Sequence, residues 1–191
     1  IPIGDLGSGL YSVIGILAAL LSREQTNKGQ HIDMSLLDVQ ISLLTYMATM
    51  QTLSNIDPEP IGNAHFVHVP YNSFTTQNGF VVIAVITDAF WEALLDVINI
   101  ESLRDPKFSK SVDRLKNQEF IESELNKVLS TKPSDYWIKA LNEAKVPCGP
   151  INTFSQALSD EQVMHREMLV EVEHPDGGKV KMPGNPVKLS Y

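Results

Sequence analysis

The chain has 191 residues, 43% hydrophobic and 20% charged, which suits one globular domain, or a large domain with a small one attached. Its formal net charge of −8 and pI near 5.0 argue against a nucleic-acid binder, which would present a basic face. An anionic small ligand stays compatible, because local charge differs from the total.

The first stretch of note is Gly4-Asp5-Leu6-Gly7-Ser8-Gly9, one carboxylate with three glycines in six positions. It reads as a loop: glycine lets a backbone turn sharply and lets a ligand approach. Asp5 and Ser8 both suit a helix N-cap. A helix N-terminus also favours negative charge, so the loop suits an ionised carboxylate facing a pocket, able to act as a nucleophile toward an activated carbonyl. From these residues alone a plain cap is the simpler reading.

Residues 8–24 follow as a predicted helix, with Leu10, Val13, Ile14, Leu17 and Leu21 at helical spacing and Gly29 as its stop. It is apolar almost all round and is expected to be buried. Its apolar run, residues 10–21, reads as too short to span a bilayer, and no basic region precedes it as in a signal peptide, so no membrane partner is expected. His31-Ile32-Asp33-Met34-Ser35 alternates like a short strand, and residues 36–52 read as a second long helix. That order suggests one end of an α/β layer.

Composition shifts at Asn55: residues 55–71 carry three prolines, Gly62, Asn63, His65 and His68, a loop and a domain boundary. Two β-rich runs, residues 71–75 and 80–86, flank Gln77-Asn78-Gly79, a hairpin signal. Helices are expected over 89–98, 111–129 and 133–144, with Trp91 and Trp137 as core. Val146-Pro147-Cys148-Gly149-Pro150 marks a second boundary, followed by two short helices, near 154–158 and 161–168, and a β-like tail over 169–173, 179–182 and 187–191. The organisation expected is therefore 1–60 as the end of a large α/β domain, 61–146 as a small α+β domain, and 147–191 as a return to the large one.

Few residues point to chemistry. His65 and His68 lack further donors at metal-ligand spacing, so no metal is expected; Asn63, His65 and Tyr71 form a loop able to touch a ligand. Cys148 has no local histidine and reads as a small buried thiol rather than a nucleophile. As the sole cysteine it forms no disulfide within the chain, which suits a reducing compartment, the cytoplasm or the mitochondrial matrix. Glu119, Glu122 and Glu124 read as a solvated helix face, and there is no phosphate-loop or dinucleotide fingerprint.

Taken in order, several stretches resemble the family III CoA-transferases: Gly4-Asp5 leading into a helix that ends Ala-Leu-Leu-x-Arg; Thr26-x-Lys28-Gly29-Gln30; residues 31–36; Gly62-Asn63-Ala64-His65; Val69-Pro70-Tyr71; Asp105-Pro106-Lys107-Phe108; Val146-Pro147-x-Gly149-Pro150-Ile151; His174-Pro175; and residues 186–190. The resemblance implies a Rossmann-like large domain, here in part, plus a small α+β domain. It implies an enzyme that moves CoA between carboxylic acids through an aspartyl-CoA thioester, with Asp5 in the place of the catalytic aspartate. Gly4, Gly7, Asn63, His65 and Tyr71 would touch substrate or CoA. The partners would be an acyl-CoA, a carboxylic acid acceptor and a second copy in an interlocked homodimer, with CoA thioester as substrate and no permanently bound cofactor.

Two departures stand out. Family members are about twice this length, and the chain begins Ile1-Pro2, so a longer polypeptide is expected. Some members carry a glycine-rich loop after the Gly-Asn pair, where this chain has Ala64-His65-Phe66-Val67-His68. An acyl-CoA racemase is the alternative within the superfamily. There a catalytic glutamate follows the second hairpin strand, and here Thr87 holds that place, beside Asp88. A third possibility is an inactive structural or dimerisation module.

Overall fold

The computed structural model describes residues 1–190. They fall into two compact units, one of residues 1–60 and one beginning at Ile61.

The first unit is helical. Helix α1 (Ile3–Thr26) starts straight after Pro2 and takes in the whole glycine stretch, so Asp5 lies in its first turn and not in a loop. Neither Asp5 nor Ser8 is the N-cap; the Ser8 hydroxyl instead donates to the Gly4 carbonyl at 2.6 Å. The helix stops at Asn27, in the left-handed region at φ 55°, whose N–H donates to the Arg23 carbonyl. At 24 residues α1 is long and apolar enough to cross a membrane by length and composition, which corrects the expectation drawn from residues 10–21 alone. A core helix of a globular protein meets the same test.

Residues 31–35 are not a strand, because no strand among the described residues 1–60 offers a partner for their backbone groups. Ser35 instead caps α2 (Leu36–Leu43), accepting from the Asp38 N–H. The long helix expected over 36–52 is broken: Thr45 takes φ 51°, and α3 (Tyr46–Ser54) begins after it. A β-branched residue with left-handed φ cannot continue a right-handed helix.

The second unit carries the hairpin as expected. Strand β1 (Tyr71–Thr76) pairs antiparallel with β2 (Gly79–Ala84) across Gln77-Asn78, with Thr76 opposite Gly79. Phe74, Val81 and Ile83 point into the core. Against them pack α4 (Asp88–Ile98), through Trp91, Leu94, Leu95 and Ile98, and, beyond α5 (Ser111–Lys116), helix α6 (Gln118–Leu129), through Ile121, Leu125 and Leu129. Helix α7 (Ser134–Glu143) adds Trp137 and Leu141. The i, i+4 spacing of these residues puts each set on one helix face. The Trp137 indole donates to the Leu129 carbonyl at 2.7 Å, so the ring is buried without an orphan N–H. The single helix expected over 111–129 is interrupted at Asn117, φ −118°, whose side chain donates back to the Asp113 carbonyl.

Strand β3 (Cys148–Pro150) joins β2, with Ile83 opposite Cys148. Residues 148–150, assigned from sequence to the third segment, thus close the small sheet. Helices α8 (Phe154–Leu158) and α9 (Glu161–His165) precede a separate hairpin, β4 (Leu169–Glu173) and β5 (Lys179–Pro183). The strand expected at 187–191 is absent through 190, and Tyr191 lies outside the described residues.

Candidate functional site

The sequence-predicted residues form two groups, one in each unit. In the first, Gly4 and Gly7 face α2. A Cβ on Gly7 would lie 3.1 Å from Leu43 Cδ1 and 3.2 Å from Val39 Cγ1, and one on Gly4 would lie 3.3 Å from the Gln40 amide. The glycines therefore serve helix-to-helix approach, which corrects the reading of them as turn residues. Asp5, between them in sequence, is exposed, and among the described residues its carboxylate has no hydrogen-bond or ion-pair partner. The first intrahelical bond at this end runs from Leu6 N–H to the Pro2 carbonyl at 3.1 Å, and no side chain caps the helix. The N–H groups of Ile3, Gly4 and Asp5 are thus open beside the carboxylate, at the positive end of a 24-residue helix.

In the second unit the loop before β1 brings Asn63, His65 and Tyr71 together. The His65 N–H donates to the Tyr71 carbonyl at 3.0 Å, and the Asn63 amide donates to the Ser73 hydroxyl at 3.2 Å. His65 Nδ1 accepts two backbone bonds, from Val67 N–H at 3.0 Å and His68 N–H at 3.2 Å. Its ring stacks on Tyr71, centroids 5.0 Å apart, and on Phe66 at 4.6 Å. Burial, and then the neighbouring His68, push the His65 pKa below the ordinary value. Among the described residues, the buried His68 Nδ1 has no hydrogen-bond partner.

Arg114 is the residue that sequence reasoning missed. Its guanidinium is fully buried, donating from Nε to the Val69 carbonyl at 2.9 Å, from Nη1 to the Phe108 and Ser109 carbonyls at 3.0 Å each, and from Nη2 to Asp88 at 2.9 Å. It anchors the far end of the His65 loop. The available signal was an arginine two residues after the outward Val112 on a short helix, which no pattern distinguishes from a surface cation. The Arg114 hydrogen bond holds the Asp88 carboxyl below the usual carboxylate range. Thr87 caps α4, accepting from the Phe90 N–H at 3.2 Å. The Cys148 thiol is pushed up by burial, away from a reactive thiolate. Among the described residues no cluster of three or more His, Cys, Asp or Glu side chains is placed to hold a metal ion.

The chain superposes over its whole length on 49% of a CAIB/BAIF family protein from Brucella suis, with a TM-score of 0.83 and 32% identity. This carries the expected fold class, a portion of the large α/β domain with a small α+β domain. It matches the model of CoA-transferase family III over residues 1–191 and belongs to that family. It is 35% identical over 189 residues to the acetyl-CoA:oxalate CoA-transferase of Acetobacter aceti, covering 98% of this chain and 47% of that protein. It is 32% identical over 191 residues to the succinyl-CoA:glutarate CoA-transferase of Mus musculus, covering 97% and 43%. The chain thus spans about half the length of the curated relatives it matches.

Proposed function

We propose that the protein transfers CoA from an acyl-CoA to a second carboxylic acid, with Asp5 as the nucleophile. The observation that carries this reading is Asp5 itself, an exposed, unpartnered carboxylate on an uncapped helix N-terminus. The Asp5 oxygen attacks the thioester carbonyl, the C–S bond breaks, and CoA leaves as thiolate with a mixed anhydride behind it. The thiolate returns to the Asp5 carbonyl and expels the donor acid, giving an aspartyl-CoA thioester. The acceptor carboxylate attacks that thioester, and the thiolate then takes the acceptor's acyl group and frees Asp5. The open N–H groups of Ile3, Gly4 and Asp5 suit the negative charge that develops at each step.

The names of the relatives point to short acids: acetate or succinate as donor, oxalate or glutarate as acceptor. Asn63, His65 and Tyr71 are read as the substrate-facing loop. A homodimer fits the apolar side chains that α1 leaves exposed, Leu10, Leu17 and Leu21 among them. The lone thiol of Cys148 suits a reducing compartment, the cytoplasm or the mitochondrial matrix. The racemase alternative has no support at Thr87 or Asp88, since the first caps a helix and the second is bound to Arg114.

The test is Asp5→Asn in the full-length protein. It keeps shape and polarity but lacks the anionic oxygen, so transfer disappears while the fold persists. Wild type incubated with acetyl-CoA or succinyl-CoA yields an adduct at Asp5, trapped by hydroxylamine and located by peptide mass. Full turnover by Asp5→Asn, without hydrolysis back to aspartate, ends the assignment.

A further inference from the structure

We propose that His65 is a substrate-binding residue that presents Nε2–H as a fixed hydrogen-bond donor to an oxygen of the acid substrate. This deepens the reading of residues 63–71 as the substrate-facing loop.

The ring's own contacts decide its tautomer. Two backbone donors, Val67 N–H and His68 N–H, point at Nδ1. Nδ1 must therefore be the lone-pair nitrogen, and the proton sits on Nε2. Among the described residues Nε2 has no partner, and it is not enclosed. Protonating Nδ1 would turn an acceptor of two bonds into a donor facing two donors. Burial and the imidazole of His68, 4.7 Å away between centroids, oppose the charge as well. Tyr71 is the other titratable group against the ring, and it stacks on it.

The ring is also held in orientation. Phe66 and Tyr71 stack on it at interplanar angles of 18° and 20°, and its main chain is tied to the Tyr71 carbonyl. A donor locked this way loses little rotamer freedom when an oxygen arrives. It is uncharged, so it takes a carboxylate or acyl oxygen by a directional hydrogen bond and not as an ion pair. Two sources share that chemistry, the free acid and the acyl end of a CoA thioester.

Two substitutions in the full-length protein separate the ring's two jobs. His65→Asn keeps an oxygen where Nδ1 accepts the loop N–H groups but has no atom at the Nε2 position. His65→Gln reaches the Nε2 position with an amide but gives up the Nδ1 acceptor. His65→Asn is expected to keep wild-type amide-exchange protection over residues 65–71 yet lose about 10- to 100-fold in kcat/KM, the loss of one hydrogen bond to a charged or polarised oxygen. His65→Gln is expected to exchange faster over those residues and to retain more activity than His65→Asn. Equal loss in both variants, or full activity in His65→Asn, overturns the proposal.

Histidine ¹⁵N spectra of the wild type supply a readout independent of turnover. The His65 signal pair is expected to report the Nε2–H form and to move on adding oxalate or glutarate if the free acid is the ligand, or acetyl-CoA or succinyl-CoA if the acyl group is. A signal unmoved by all four overturns it. The hydroxylamine adduct at Asp5 is measured separately in wild type and in His65→Asn. Its absence from wild type undermines the transferase reading, whereas an adduct in wild type with an inert His65 signal undermines only the donor role.

Discussion

Arg114→Met removes a buried cation while keeping most of its volume, and its cost can be worked from the partners left behind. The guanidinium satisfies the carbonyls of Val69, Phe108 and Ser109 and pairs with Asp88. Ser109 is exposed, so water replaces the arginine there at little cost. Val69 and Phe108 are 0% and 1% exposed, and their carbonyls would be left without a donor, at about 1–3 kcal/mol each. The Asp88 side chain is 45% exposed, so its ion pair is solvent-screened and contributes below about 1 kcal/mol. The expected loss is about 2–7 kcal/mol, mostly from stranded main-chain carbonyls. Asp88→Asn, which keeps an acceptor oxygen, should cost under about 1 kcal/mol. Hydrogen exchange of peptides covering β1 and β2, read as opening free energies in both variants, is the assay. A loss below about 1 kcal/mol for Arg114→Met, or equal losses for the two variants, refutes the reasoning.

Two of the glycines in α1, Gly7 and Gly9, differ in their surroundings, so Gly7→Ala and Gly9→Ala should differ in sign. Gly9→Ala meets nothing within 4 Å and should gain about 0.5–1 kcal/mol of helix propensity, whereas Gly7→Ala meets Leu43 and Val39 and should lose about 1 kcal/mol net to overpacking, both read by thermal melts. Asp88 should make the second unit acid-sensitive. Its folded pKa is lowered, chiefly by the Arg114 hydrogen bond, so its contribution is present above the unfolded carboxylate range and fades as pH falls through that range toward the folded value. Asp88→Asn should flatten the stability profile in that window, and an unchanged slope would count against the pairing.

What the sequence showed and what it hid differ by a physical rule. The hairpin at Gln77-Asn78 and the core of Trp91, Ile121, Leu125 and Trp137 follow from period-2 and helical spacing, which are local patterns. The breaks at Thr45 and Asn117 do not, because both lie in apolar or amphipathic runs whose spacing continues across them. Residues 31–35 alternate like a strand and remain unpaired, since pairing is decided by a partner and not by propensity. Arg114 was invisible for a related reason: what makes it a hub is the set of carbonyls that other segments bring to it, and one-dimensional spacing holds no trace of them.

The Gly-Asp stretch is where the local reading erred in form: it is the first turns of a helix and not a loop. At about 100° per residue, Gly4 and Gly7 fall about 60° apart on one face of α1, and Asp5 falls about 100° from Gly4 on the other side. The observed burial follows that wheel: Gly7 is buried, Gly4 half-buried against Gln40, and Asp5 exposed. Side chains at the two glycine positions would hold α2 away from the start of α1. Their absence lets Val39 and Leu43 close on the helix within van der Waals distance, so the first turn is fixed by packing although no side chain caps it. A turn fixed from behind leaves its N–H groups and its one carboxylate facing outward. The glycines therefore fix the first turn through the helix they allow to pack, and Asp5 stays exposed because its neighbours are committed elsewhere.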